Sequence, residues 1–184
     1  MQIIFRTLAA VLLTACAAGA YAQAYPVKPI RFVVPYPPGG SNDVLTRITA
    51  QAMAPGLGQP IVIDNRGGAG GMIATEQVAK AAPDGYTILM GTIGGVAVAM
   101  SLNPNRGYDT LRDLTPITQS VTVTSILVTH PSVPANNVRE LLALARAKPG
   151  SLNYGSSGNG TIVHMTGEMF KMQTGTDFKH VPYK

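Results

Sequence analysis

The chain has 184 residues, 46% of them hydrophobic and only 12% charged, about half the charged share of an ordinary globular protein. That balance excludes a disordered acidic or basic tail protein, and the length admits one domain or two small ones. The net charge is +5 with no Trp, but the cations are scattered singly, whereas a nucleic-acid face clusters them, often with stacking aromatics. No nucleic-acid partner is expected.

Residues 1–22 read as an export signal. Arg6 and the terminal amine precede an apolar run over 8–18, and Ala20-Tyr21-Ala22 fits the A-x-A cleavage pattern before Gln23. The run is shorter than the ~20 apolar residues that span a bilayer. Leu13-Thr14-Ala15-Cys16 also resembles a bacterial lipobox, which would leave a lipidated Cys16 as a membrane anchor. Both exits place the mature chain outside the cytoplasm, in the periplasm. Neither leaves a cysteine pair, so no internal disulfide is expected.

Strands and helices then alternate. Residues 29–35 form a β-branched run bounded by prolines, which suits a buried strand. The turn Tyr36-Pro37-Pro38-Gly39-Gly40 follows, and Ser41, Asn42 and Asp43 can each cap a helix whose apolar face is Val44, Leu45, Ile48 and Ala52. Residues 60–64 are the second strand candidate, followed by a glycine loop at 67–71 and a helix near 72–81. Residues 86–91 form the third strand, again leaving through glycine. This repeated β-loop-α order predicts a parallel sheet with strands near 30–34, 61–63 and 87–90, covered by helices.

Beyond Asn103-Pro104 the regularity breaks. Residues 108–115 are polar and turn-like, and 116–130 hold β-branched runs that suit a strand crossing from one sheet to another. Residues 134–148 are the clearest helix, with Val138, Leu141, Leu142 and Ala145 inward, Asn137 as cap and Glu140 at N3. A short strand at 152–154, a loop at 155–160 and a helix over 161–174 follow, the helix burying Ile162, Met165, Met169 and Met172. Another strand starts at Phe178.

The chemical signal lies in glycine loops that open helices, at 37–43, 67–71 and 155–160. A helix N-terminus offers free N–H groups and the positive end of a dipole, and in a parallel sheet all three loops fall at the ligand-binding strand ends. The catalytic versions of such loops are missing. Thr161 stands where a phosphate-binding lysine belongs, Asn159 where a nucleophile elbow needs glycine, and Gly68-Ala69-Gly70-Gly71-Met72-Ile73 lacks the third glycine of a dinucleotide site. His164 and Glu168 share a helix face without a third ligand in reach, so they read as a side-chain pair and no metal is expected. No spacing pairs two carboxylates as acid and base. Asp43 reads as a helix cap or first-turn carboxylate, with a ligand contact as the alternative. No cofactor is expected.

Taken in order, the segments resemble the tripartite tricarboxylate transporter substrate-binding proteins, the Bug receptors. The matching stretches are Tyr25-Pro26-Val27-Lys28-Pro29-Ile30-Arg31, Val34-Pro35-Tyr36-Pro37-Pro38-Gly39-Gly40 with Asp43, and Leu57-Gly58-Gln59-Pro60. They continue with Asn65-Arg66 and the glycines to Gly71, Val78-Ala79-Lys80-Ala81, and Pro83-Asp84-Gly85-Tyr86-Thr87. The run 141–148, the loop 154–160 with His164, and His180-Val181-Pro182-Tyr183-Lys184 complete the set. Gly68 departs from the family, which usually carries proline after Asn-Arg, and leaves a looser loop.

The resemblance implies an α/β type II periplasmic-binding-protein fold, two lobes with parallel-rich sheets closing on a small carboxylate, here truncated at the carboxyl end. Lobe one spans 23–116, a crossing strand or hinge 117–130, and an incomplete lobe two 131–184. By position, lobe one offers Tyr36, Pro38, Gly39, Gly40, Ser41, Asp43 and Thr92 to the ligand, and lobe two offers Ser156, Ser157 and Gly158. The implied function is a non-catalytic extracytoplasmic receptor, monomeric when complete, that hands the carboxylate to membrane permease subunits. The alternatives are an exported α/β enzyme using the same anion loops and a non-functional truncated receptor.

Overall fold

The structure is a computed structural model and describes residues 24–183. The export signal and Cys16 lie outside the described residues. Among the described residues no helix is long and apolar enough to cross a membrane.

The first sheet has strand order β2-β1-β3, built from β1 (Ile30–Val34), β2 (Ile61–Asn65) and β3 (Thr87–Leu89). Both pairings are parallel, with Ile30 opposite Ile61 and Arg31 opposite Thr87. The expected strands therefore hold to within two residues at each end, and their carboxyl ends share one edge. β1 is central and flanked on both sides, so Val33 and Val34 are fully buried. A strand covered on both faces reads as an unbroken apolar run rather than an alternation. Helix α1 (Ser41–Leu57) closes one face of the sheet, where Phe32, Ala50 and Met90 pack with Met53, Ile61, Ile63 and Ile88. Helix α2 (Met72–Ala79) follows a 3-10 turn at Ala69–Gly71 and buries Ala74 and Thr75. After β3 the chain makes a π-turn at Gly94–Val98 that runs into α3 (Ala99–Leu102), and Asp109 caps the short α4 (Thr110–Asp113).

The second sheet pairs β4 (Leu152–Ser156) with β5 (Phe178–Pro182), also parallel. Helix α5 (Val138–Ala147) starts as expected, because Asn137 Oδ1 accepts the Glu140 N–H at 3.0 Å. Its Leu141 and Ala145 join Phe178 in a separate core with Val133, Ala135, Leu152, Tyr154 and Phe170. Helix α6 (Ile162–Thr174) connects β4 to β5, capped at Thr161 and ended by Gly175 in the left-handed region.

Three expectations fail in informative ways. The stretch 116–130, expected to be a crossing strand, has no ladder partner among the described residues, and all of 115–132 is exposed. A β-branched run becomes a strand only where another strand meets its N–H and C=O groups. In α1, Val44 and Ile48 point to solvent at 47% and 57% exposure, while Asp43, Thr46 and Ala50 are buried. Polar bonds to Asp43, described below, turn the helix by part of a turn. In α6, Ile162, Met169 and Met172 are exposed, because a two-stranded sheet covers only the face that carries Glu168 and Phe170.

Candidate functional site

The glycine loops sit where the strand directions put them. Residues 35–40 leave β1, the glycine-rich residues 67–71 leave β2, and Gly91 to Gly95 leave β3, all on one edge. The loops touch one another: a Cβ on Gly67 would lie 3.0 Å from the Pro37 ring, and one on Gly71 would lie 3.3 Å from both Pro35 Cβ and Thr92 Oγ1. The loop that leaves β4 reaches the same place. A Cβ on Gly70 would lie 2.5 Å from the Asn159 carbonyl oxygen, and one on Gly94 would lie 2.5 Å from the Gly70 carbonyl and 3.3 Å from that of Gly160. Backbone from both sheets thus meets at a seam that only glycine admits, and Gly70 also needs its positive φ of 63°.

Asp43 shapes the first loop. It is the third residue of α1, 4% exposed, and its carboxylate turns back to accept the Gly39 N–H at 2.9 Å. Asn65 Nδ2 donates to its other oxygen at 3.0 Å and also to the Tyr36 carbonyl, while Arg47 pairs with both oxygens. The Arg47 bond, the Gly39 amide and Asn65 together hold this carboxyl at about 2. Its oxygens are committed within the protein, so Asp43 positions the loop, as its first-turn reading expects. Around it Pro38, Gly39, Gly40 and Ser41 are exposed and Tyr36 is half-buried. Thr92 differs from these. Its Oγ1 is buried with no hydrogen-bond partner, and such a hydroxyl costs about 1–3 kcal/mol until something satisfies it.

At the second loop, Ser156 is buried and Ser157 exposed. Ser156 Oγ accepts the Gly158 N–H at 3.1 Å and lies 2.6 Å from His180 Nε2. His164 Nδ1 accepts the Gly160 N–H at 3.0 Å, and Thr161 Oγ1 donates to the Gly158 carbonyl at 2.8 Å. The imidazoles of His164 and His180 stack at 4.1 Å between centroids, and His180 also stacks on Tyr154 at 4.9 Å. Burial, and then the neighbouring His164, lower the His180 pKa below its ordinary 6.5. Glu168 accepts the Tyr154 hydroxyl at 2.6 Å and pairs with Lys171. Glu168 thus pairs with Tyr154 and Lys171 and not with His164, the partner expected on its helix face, and no group of three His, Cys, Asp or Glu gathers among the described residues.

The sequence reasoning missed His180, Asn65 and Arg47. Arg47 lies four residues after Asp43 on a helix, a spacing that signals an ion pair. Asn65 and His180 reach their partners across 22 and 24 residues, which no local pattern encodes.

Residues 45–184 match the model of the tripartite tricarboxylate transporter family receptor. The chain belongs to this family. It is 40% identical over 169 residues to the protein BugT of Bordetella pertussis, covering 91% of this chain and 52% of that protein. It thus spans about half the length of this curated relative. Among solved structures it is similar to the periplasmic binding protein BugD, with a TM-score of 0.75 and 35% identity over 87% of this chain and 53% of that one. Rpa4515 of R. palustris, solved with adipate, gives a TM-score of 0.77 at 36% identity, covering 88% of this chain and 54% of that one. The fold is thus that of periplasmic binding proteins, as the resemblance implies, with two parallel sheets whose strand-end loops converge.

Proposed function

We propose that this chain carries the ligand-gripping loops of an extracytoplasmic receptor for a small organic carboxylate. The observation that carries the reading is the seam at Gly70, Gly94 and Asn159, where loops from both parallel sheets meet in a chain of the receptor family. The loops 37–43 and 155–160 contain no Lys or Arg. Amides and hydroxyls alone suit a singly charged carboxylate, whereas a phosphate monoester usually recruits cations as well. Adipate in the Rpa4515 structure presents two carboxylates at opposite ends, each with a single charge. Tyr36, Pro38, Gly39, Gly40, Ser41 and Thr92 line the first half of the proposed site, and Ser157 and Gly158 the second, with Asp43 and Ser156 holding the loops behind them. Lobe one then covers 23–116 and lobe two 131–184, joined by 117–130. The protein is exported and hands its ligand to membrane permease subunits of the transporter.

Thr92→Val tests the site. It removes only the unpartnered hydroxyl, so adipate affinity by calorimetry falls about tenfold, roughly one charge-assisted hydrogen bond, while the urea midpoint holds or rises. Unchanged affinity would remove Thr92 from the site. Tighter binding of a sugar phosphate than of any dicarboxylate from succinate to adipate would overturn the carboxylate reading.

A further inference from the structure

The loop 156–160 is fixed at three of its five residues, and two of the three fastenings end on histidine. We propose that His164 and His180 are positioning residues that hold this loop, and that protonating His164 Nδ1 loosens it and weakens carboxylate capture. The inference rests on the receptor reading above and assigns a role to side chains that need not touch the ligand.

The Gly160 amide can only donate, so His164 Nδ1 must keep its lone pair and the ring carries its proton on Nε2. A proton added at Nδ1 sets N–H against N–H and breaks that fastening. His180 Nε2 fastens the other end through Ser156 Oγ, which in turn takes the Gly158 N–H. The two rings lie parallel to within 17°, so a charge on one opposes a charge on the other. The remaining groups facing them pull both ways, Lys171 against a charge on His180 and Glu168 towards one. Tyr154 on β4 presents an aromatic face, Lys171 on α6 adds a like charge, and the Glu168 carboxylate on α6 is already shared between the Tyr154 hydroxyl and Lys171. Imidazole changes charge between about pH 5 and 8, within reach of ordinary binding measurements.

The test compares His164→Asn, whose Oδ1 stands where Nδ1 was and does not titrate, with His164→Ala, which removes the acceptor. Adipate is titrated calorimetrically into each between pH 5.0 and 8.0. The unmodified protein should bind about tenfold more weakly at pH 5.0 than at 7.5. H164A should be weakened about tenfold throughout, and H164N should recover most of that loss with a flattened profile. An affinity that is flat or rises with acid would overturn the proposal, as would full pH dependence in H164N. A second readout is independent of ligand. The Gly160 amide resonance and its exchange protection should change between pH 7.5 and 5.0 in the unmodified protein and stand still in H164N. Absence of adipate binding at pH 7.5 would count against the receptor reading, and the Gly160 resonance alone would then decide the fate of the histidines.

Discussion

The glycine seam permits a quantitative test with three alanine substitutions. Gly39 has φ of +87° and nothing within 4 Å of a Cβ, so Gly39→Ala reports left-handed strain alone, about 1–2 kcal/mol. Gly94 lies in the helical region, and its Cβ would stand 2.5 Å from the Gly70 carbonyl oxygen. Ordinary contact begins near 3.4 Å, so the two backbones must part by about 0.9 Å, an overpacking of roughly 1–3 kcal/mol. Gly70 combines both penalties, with φ of +63° and a Cβ 2.5 Å from the Asn159 oxygen. Gly70→Ala is therefore expected to cost about the sum of the other two, some 2–5 kcal/mol. Urea denaturation gives each value, provided the slope of free energy against urea stays constant. Adipate titration should place Gly70→Ala below Gly94→Ala, because parting the seam separates the proposed ligand contacts, whereas Gly39 lines the proposed site itself and is compared by stability alone. Gly94→Ala reports the contact between the loops after β2 and β3, and if Gly70→Ala were no more destabilising than Gly39→Ala, the two sheets would not meet in solution as described.

Acid should act in two stages. His180 is held below 6.5, so the unfolded chain takes up that proton first, and stability begins to decline as pH falls below about 6.5. Asp43 and Asp113 are held at about 2 against an ordinary 3.8, so their contribution is complete above about 4 and disappears between there and about pH 2. Urea midpoints across pH 2–8 should show both declines, and Asp43→Asn should flatten the second; an unaltered acid limb would refute the role given to Asp43. Phe178→Ala should remove about 3–5 kcal/mol of packing from the second core. Hydrogen exchange should then rise in β4 and β5 and leave β1–β3 protected; equal loss in both sheets would mean that they unfold as one unit.

What could be read from the sequence was local chemistry. Prolines at 29, 35 and 60 bracket β1 and the start of β2, which appear within one or two residues of expectation, and Asn137 with Glu140 announces the start of α5, four residues inside the expected 134–148. The face that each helix buries was harder. Periodicity favours Val44 and Ile48, but Gly39, Asn65 and Arg47 together draw Asp43 inward, and only Arg47 and Gly39 are near it in sequence. The stretch 116–130 has the composition of a strand, yet strand formation depends on a partner that composition does not specify. The candidate site divides in the same way. Its glycine loops stand out as punctuation, whereas the pairing of Ser156 with His180 exists only once β4 and β5 lie side by side.

The contact at Gly70, Gly94 and Asn159 has a consequence for how cargo choice can diversify. What meets there is peptide oxygen and bare α-carbon, and the Thr161, Val98 and Leu102 side chains alongside present only carbon, so the articulation offers no polar group with which to favour one acid over another. On the receptor reading proposed above, discrimination falls to Tyr36, Ser41 and Ser157 around it, whereas Thr92 Oγ1 packs against Gly71 beside the joint. A receptor built this way separates the hardware that brings its halves together from the surface that inspects the cargo. Retuning the second leaves the first intact.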